Sequence, residues 1–195
     1  MVNKLYGFSH RQGSGFPPLT TERILFMKLG IVFGCFIPLH HGHMKLVSRS
    51  RVENDVTIIA ICGKDADRGK DFIPFKDRIK LVRIIYPTDM FRVVVLDDDK
   101  LGMDGSFSRD NWVKWSEGLF RQATLDPNDP DNEITWYTGE PSYQEKLSSI
   151  YPNHKFTVID RSENTISGTQ IRENPRKYWD QIELTFRIYL IKKGY

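Results

Sequence analysis

Cysteine is scarce in this chain: its 195 residues hold two, Cys35 and Cys62. Two thiols so spaced make neither a disulfide framework nor a zinc site. A reducing compartment, the cytoplasm, is their simplest setting. There is no run of the roughly 18–20 apolar residues that a membrane span needs. The stretch from Ile24 to Leu39 is interrupted by Lys28 and has no cleavage region, which makes it a poor secretory signal. Residues 1–21 lack acidic groups, yet their basic content is too low for a good transit peptide. A strong charge of one sign is also missing. The net charge is +3, and residues 1–28 carry it as Lys4, Arg11, Arg23 and Lys28 against Glu22. The rest of the chain is balanced, which argues against a nucleic-acid binder. With 39% hydrophobic and 27% charged residues, the chain reads as one soluble domain of ordinary composition.

Residues 1–28, rich in Gly, Ser, Pro and Arg around HRQGSGFPP, show no period and read as a flexible extension. From residue 29 short apolar runs alternate with amphipathic ones. The runs 29–34, 56–62, 91–96, 133–139 and 155–160 read as buried strands. Segments 41–54, 76–86, 109–120, 141–150 and 168–174 read as helices. In the first, Met44, Val47 and Val52 are expected on one face; in the third, Trp112, Trp115 and Leu119 share a face. Continuous apolar strands separated by helices predict a doubly wound, mainly five-stranded parallel sheet in an α/β domain spanning 29–182. Residues 183–195 read as a terminal helix or tail. In such a sheet ligands sit at the carboxyl ends of the strands.

The stretch GCFIPLHHGH (34–43) lies at that edge, between the first strand and the first helix. His40 and His43 are three apart and can point to one side, while His41 is rotated by about 100°. Gly42 in the first turn lets a ligand approach the backbone, and a helix N-terminus favours phosphate. Metal ligation is the rival reading, but zinc needs three or four protein ligands. The other histidines are His10, in the front extension, and His154. Helix capping by structural histidines is the third reading. Phosphate handling is favoured because strand end, glycine and paired imidazoles agree.

Residues 34–43 match the G-x-F-x-P-x-H-x-G-H signature of the nucleotidyltransferase superfamily, and ISGTQIR (166–172) resembles its I-S-x-T/S-x-I-R motif. The segments 102–118, 166–182 and the FKDRIKLVRIIY helix are similar to NadR-type nicotinamide mononucleotide adenylyltransferases. The resemblance covers about residues 28–182. It implies a Rossmann-like fold and the reaction of ATP with nicotinamide mononucleotide to give NAD and pyrophosphate, with Mg2+ bound to the substrate phosphates. His40, His43 and Arg172 would be catalytic. ATP would be held by Gly34, Cys35, Phe36, His40, Gly42, His43, Gly139, Ser167, Thr169 and Arg172. Proteins of this type commonly carry a kinase domain with a P-loop; no G-x-x-x-x-G-K-[ST] occurs here, so the kinase activity is expected to be absent. The front extension is also short for a helix-turn-helix domain.

The acceptor side is less sharply marked. Trp112 or Trp115 would stack on the cationic nicotinamide ring, although helix packing explains either equally well. Lys64 and Arg68, with Lys70, would meet the acceptor phosphate, against the plainer reading of a solvated basic loop. Asp97, Asp98 and Asp99 follow the third strand and read first as a solvated acidic loop, second as magnesium or ribose ligands. Arg78 opens the helix that resembles a family helix, with salt bridging to a neighbour as its plainer reading. Two other functions stay open: transfer of AMP or CMP to a different phosphorylated acceptor, and a non-catalytic NAD or ATP sensor. The partners expected are small nucleotides, with no nucleic acid and no membrane; self-association is left open.

Overall fold

The computed structural model describes residues 26–87, 91–159 and 166–195. The strands are β1 (Met27–Gly34), β2 (Val56–Gly63), β3 (Phe91–Asp97), β4 (Asn132–Thr138) and β5 (Lys155–Val158). The helices are α1 (His41–Glu53), α2 (Phe75–Ile85), α3 (Arg109–Ala123), α4 (Pro141–Ser148), α5 (Gly168–Glu173) and α6 (Leu184–Lys192). All four strand pairings are parallel, in the order β3-β2-β1-β4-β5. The order reverses at β1, so the connections leaving β1 and β4 run to helices on opposite faces, the place where such sheets open a crevice. The expected five-stranded α/β sheet is the observed one.

Alternation along β1 decides which helices cover which face. Leu29, Ile31 and Phe33 point to one side, where Trp112, Trp115, Leu119, Trp136 and Leu147 pack. Val32 points to the other, among Leu46, Val47, Val82, Phe186 and Leu190. Both faces are therefore apolar, which is why the strands read as unbroken hydrophobic runs.

Two sequence expectations need correction. The first strand begins at Met27, inside the stretch assigned to the extension; residues 1–25 lie outside the described residues. The buried stripe of α1 is Leu46, Val47 and Ser50, while Val52 is 86% exposed, because the helix turns it away from the sheet. Of the two readings of residues 183–195, helix or tail, α6 is the helix, and its Phe186 and Leu190 are fully buried. The main chain of Ile182 just before α6 bridges to His40.

Candidate active site

The loop from β1 to α1 is tightly determined. Phe36 adopts φ 48°, the left-handed region, and its buried ring meets the His43 ring edge-on at 4.8 Å. His40 is the N-cap of α1: its Nδ1 accepts from the Gly42 amide at 3.1 Å. That bond places the proton of the neutral imidazole on Nε2, which leaves Nε2 as the donor. The expected closeness of backbone at Gly42 is thus taken up by the cap. The amides of His41 and His43 remain as first-turn donors by helix geometry.

The His40 and His43 rings lie 4.0 Å apart, centroid to centroid. His43 packs over Gly34, where a Cβ would stand 3.3 Å from its Nε2, so a side chain there would push the imidazole by a few tenths of an ångström. Burial, and then the neighbouring His40, hold the His43 imidazole well below its usual pKa. His43 Nδ1 is buried without a hydrogen-bond partner. A neutral ring with an orphan polar atom at a helix N-terminus is suited to an incoming polar ligand.

The second motif closes on the first. Ser167 caps α5, accepting from the Gln170 amide at 3.2 Å, while Gln170 Oε1 accepts from the Ser167 amide at 2.8 Å. Arg172, one turn on, donates through Nη1 to the Ile37 carbonyl at 2.8 Å and through Nη2 to Thr169 Oγ1 at 2.9 Å. Gly168 permits the approach, for a Cβ there would stand 3.0 Å from the Ile37 carbonyl oxygen. Ser167 and Thr169 accept with their oxygens in these bonds, so both hydroxyl protons stay free to donate.

Arg68, from the loop after β2, joins this edge. Its guanidinium reaches toward Cys35 Sγ at 4.0 Å. Burial first and the Arg68 charge second push the Arg172 guanidinium below its usual pKa, as expected for two cations facing one cleft. The loop itself is held from beneath. Arg78, fully buried, ion-pairs with Asp67 and donates to the Cys35 carbonyl at 2.9 Å. Asp67 Oδ1 accepts from the Gly69 amide at 2.8 Å. Salt bridging, the plainer of the two readings of Arg78, is what the structure shows, and the pair braces the histidine loop and the basic loop together, which the sequence does not reveal. Asp67 carried no signal of its own.

The remaining candidates are placed as follows. Gly139 sits just past β4, beside the crevice, with the Thr138 hydroxyl accepting from the Glu140 amide at 3.0 Å. Burial pushes the Cys35 thiol up, and the Cys62 thiol up further. Lys64 turns to Asp99 at 3.0 Å and Lys100 to Asp97 at 3.4 Å, so two of the three aspartates after β3 are locally paired. Asp98 is half-buried and its carboxyl is raised, chiefly by burial. Trp112 and Trp115 are 9% and 5% exposed and pack on Phe33 at 6.4 and 5.0 Å. Trp112 also faces Tyr143 at 5.2 Å. Among the described residues no three His, Cys, Asp or Glu side chains form a group that could hold a metal.

One feature beside the site has no counterpart in the sequence reading. An open cleft of about 480 Å³ lies between α1 and the end of β5, lined by His41, Met44, Lys45, Ser48, Arg49 and Ile159. A helix face and a residue more than a hundred positions away meet there, and no local pattern marks such a pair.

Comparison with known proteins places this geometry. The cytidylyltransferase-like family model matches residues 31–174. Two curated relatives are each 29% identical and described as "Trifunctional NAD biosynthesis/regulator protein NadR". The one from Escherichia coli (strain K12) aligns over 181 residues, 84% of this chain and 41% of its own length. The one from Salmonella typhimurium aligns over 185 residues, with the same shares. This chain thus spans about two fifths of those relatives. A crystal structure of NadR protein in complex with NR superposes with a TM-score of 0.68 at 29% identity, over 82% of this chain and 44% of that one. A second, with NAD and AMP-PNP, gives 0.65 at 28% identity, over 82% and 46%. A bifunctional NMN adenylyltransferase/ADP ribose pyrophosphatase from Francisella tularensis shares the fold, with a TM-score of 0.57 at 16% identity. The family match runs through both the histidine loop and the Arg172 helix, and this chain belongs to the cytidylyltransferase-like family.

Proposed function

We propose that this chain transfers the AMP of ATP to nicotinamide mononucleotide, releasing pyrophosphate and forming NAD. The observation that carries the reading is that Arg172 is tied to the Ile37 carbonyl of the loop that carries the paired His40 and His43. The NadR relatives at 29% identity supply the acceptor class.

The chemistry asks little of a base. A phosphate monoester has a second pKa near 6, so the acceptor phosphate is largely dianionic at neutral pH and attacks the α-phosphorus directly. What the reaction needs is alignment of two anions and neutralisation of charge in the transition state. His40 Nε2 and the His43 ring would donate to the α-phosphoryl oxygens. Arg172, with the free Ser167 and Thr169 hydroxyl protons, would hold the pyrophosphate being formed. Arg68 would meet the acceptor phosphate, and the α1/β5 cleft would seat the adenosine.

The donors at this edge are imidazoles and guanidiniums, so Mg2+ fits here as a passenger on the triphosphate, with water and phosphate ligands. When bound, it draws charge off the leaving pyrophosphate. Trp112 lies in the first turn of α3, nearer the ligand edge than Trp115, and is our choice for the wall of the nicotinamide pocket.

The deciding experiment incubates the purified chain with ATP, Mg2+ and nicotinamide mononucleotide and measures NAD and pyrophosphate. Parallel reactions take nicotinic acid mononucleotide, flavin mononucleotide, phosphopantetheine or glycerol phosphate, each with ATP or CTP. Turnover only with another acceptor would replace the substrate assignment. Nucleotide binding without pyrophosphate release from any pair would make the chain a sensor.

A further inference from the structure

Helix α6 is apolar on two opposite faces. Phe186 and Leu190 are fully buried, and the Tyr189 hydroxyl donates to Asp77 of α2 at 2.8 Å. On the opposite side Leu184, Ile188 and Ile191 stand at i, i+4 and i+7 and are 58%, 46% and 59% exposed. Tyr195 lies beyond them, 44% exposed, with its ring edge-on to Phe72 at 5.0 Å. A helix at a protein surface normally turns charge, not a second aliphatic seam, toward water. Isolated exposed apolar residues need no explanation, but a row at helical spacing does.

We propose that this seam docks a second copy of this chain, with the two α6 helices antiparallel about a two-fold axis near Ile188. The proposal is independent of the catalytic reading. Self-complementarity favours a copy over any other occupant. An isologous contact requires one patch to fit itself, and the aliphatic groups lie on both sides of Ile188. The ends of the helix complement each other as well. Asp180, with its side chain 94% exposed and 3.5 Å from Arg187, stands just before the helix, and Glu183 caps its N-terminal end; Lys192 and Lys193, both exposed, stand at the C-terminal end. Antiparallel pairing brings each acidic end to the basic end of the other copy and opposes the two helix dipoles. A parallel pair would set like charges together.

Leu184, Ile188 and Ile191 offer on the order of 300 Å² of apolar surface. That is well under half of the roughly 800 Å² per partner found in standard stable interfaces. The expected assembly is therefore a reversible dimer that dissociates in roughly the micromolar range, not an obligate one.

Sedimentation velocity of the full chain between about 1 and 200 µM tests this. The wild type is expected to shift from monomer to dimer across that range. Ile188→Glu, which sets two carboxylates together at the axis, is expected to stay monomeric with the wild-type circular dichroism and turnover. Lys192→Glu with Lys193→Glu is expected to weaken the dimer at least about tenfold. Adding Asp180→Lys to that chain is expected to recover most of the loss. A wild type that remains monomeric throughout, or a dimer indifferent to Ile188→Glu, overturns the proposal.

Discussion

The guanidinium of Arg172 donates to the Ile37 carbonyl at 2.8 Å, across 135 residues of sequence. A second donation goes to Thr169, so two of the five N–H groups of its planar fork fix it in place. Arg172→Lys keeps the charge and loses the fork. The expected result is a fall of about ten- to a hundredfold in kcat/KM for ATP, with the melting temperature nearly unchanged. Steady-state kinetics at fixed acceptor measures it. An unchanged kcat/KM would remove Arg172 from the phosphate site.

His43 is expected to act on the transition state more than on binding. His43→Ala should lower kcat by about a hundredfold or more, with little change in KM. The pH profile separates its proton from that of the substrate. His43 is held well below its usual pKa, so it stays neutral through the neutral range. The acid limb of kcat/KM near pH 6 then belongs to the acceptor phosphate. It should persist in the residual activity of His43→Ala; its disappearance would show that the histidine is the titrating group.

Asp67 is the less conspicuous half of the brace beneath the site. Asp67→Ala would leave the Arg78 guanidinium buried without its carboxylate, at an expected cost of about 3–5 kcal/mol. Urea unfolding reads that loss directly. Because the same carboxylate holds the Gly69 amide, the acceptor KM should rise as well. A loss below about 1 kcal/mol would mean that the pair is solvated and supports nothing.

Trp112→Leu tests the acceptor wall. It keeps an apolar side chain in a crowded cluster, so some stability is lost through volume, and the informative reading is kinetic. KM for the mononucleotide should rise severalfold while KM for ATP holds. If both constants stay put, Trp112 only packs.

His154 makes stability depend on pH in a defined direction. Its Nδ1 accepts from the Trp136 indole at 2.9 Å, and Nε2 lies 2.8 Å from the Pro127 carbonyl, an arrangement that suits the neutral ring. Burial lowers its pKa in the folded state, as it does for His43. The unfolded chain therefore binds more protons, and stability rises with pH. That contribution is complete above about pH 6.5 and is lost as pH falls through the folded-state values. Thermal melts from pH 8 to 5 should show the decline, and His154→Asn should flatten part of it. A melting temperature constant over that range would contradict the neutral assignment.

The fold was largely legible because each strand is buried on both faces, so its sequence is a short apolar run bounded by turn residues; β2, VTIIAICG, is the clearest. The limits of α1 were legible as well, but its inner face was not. Val52 looks like a core residue in sequence, and only the docking angle of the helix shows that Ser50 takes the inner position beside Thr57, 2.9 Å away. At the site, spacing alone suggested the closeness of His40 and His43. The bridge from Arg172 to Ile37 and the brace of Arg78 and Asp67 are contacts between distant segments. No periodicity encodes them, and sequence yielded them only as far as a motif named one partner.

The segment carrying Ser167, Arg172 and the Ile182 bridge follows all five strands in the sequence and folds back onto the loop after the central strand. During synthesis the sheet can form before its nucleotide grip exists. If the segment grips the nucleotide as proposed, a nascent chain still lacking it would have its sheet but no grip on ATP, and binding competence would follow the strands.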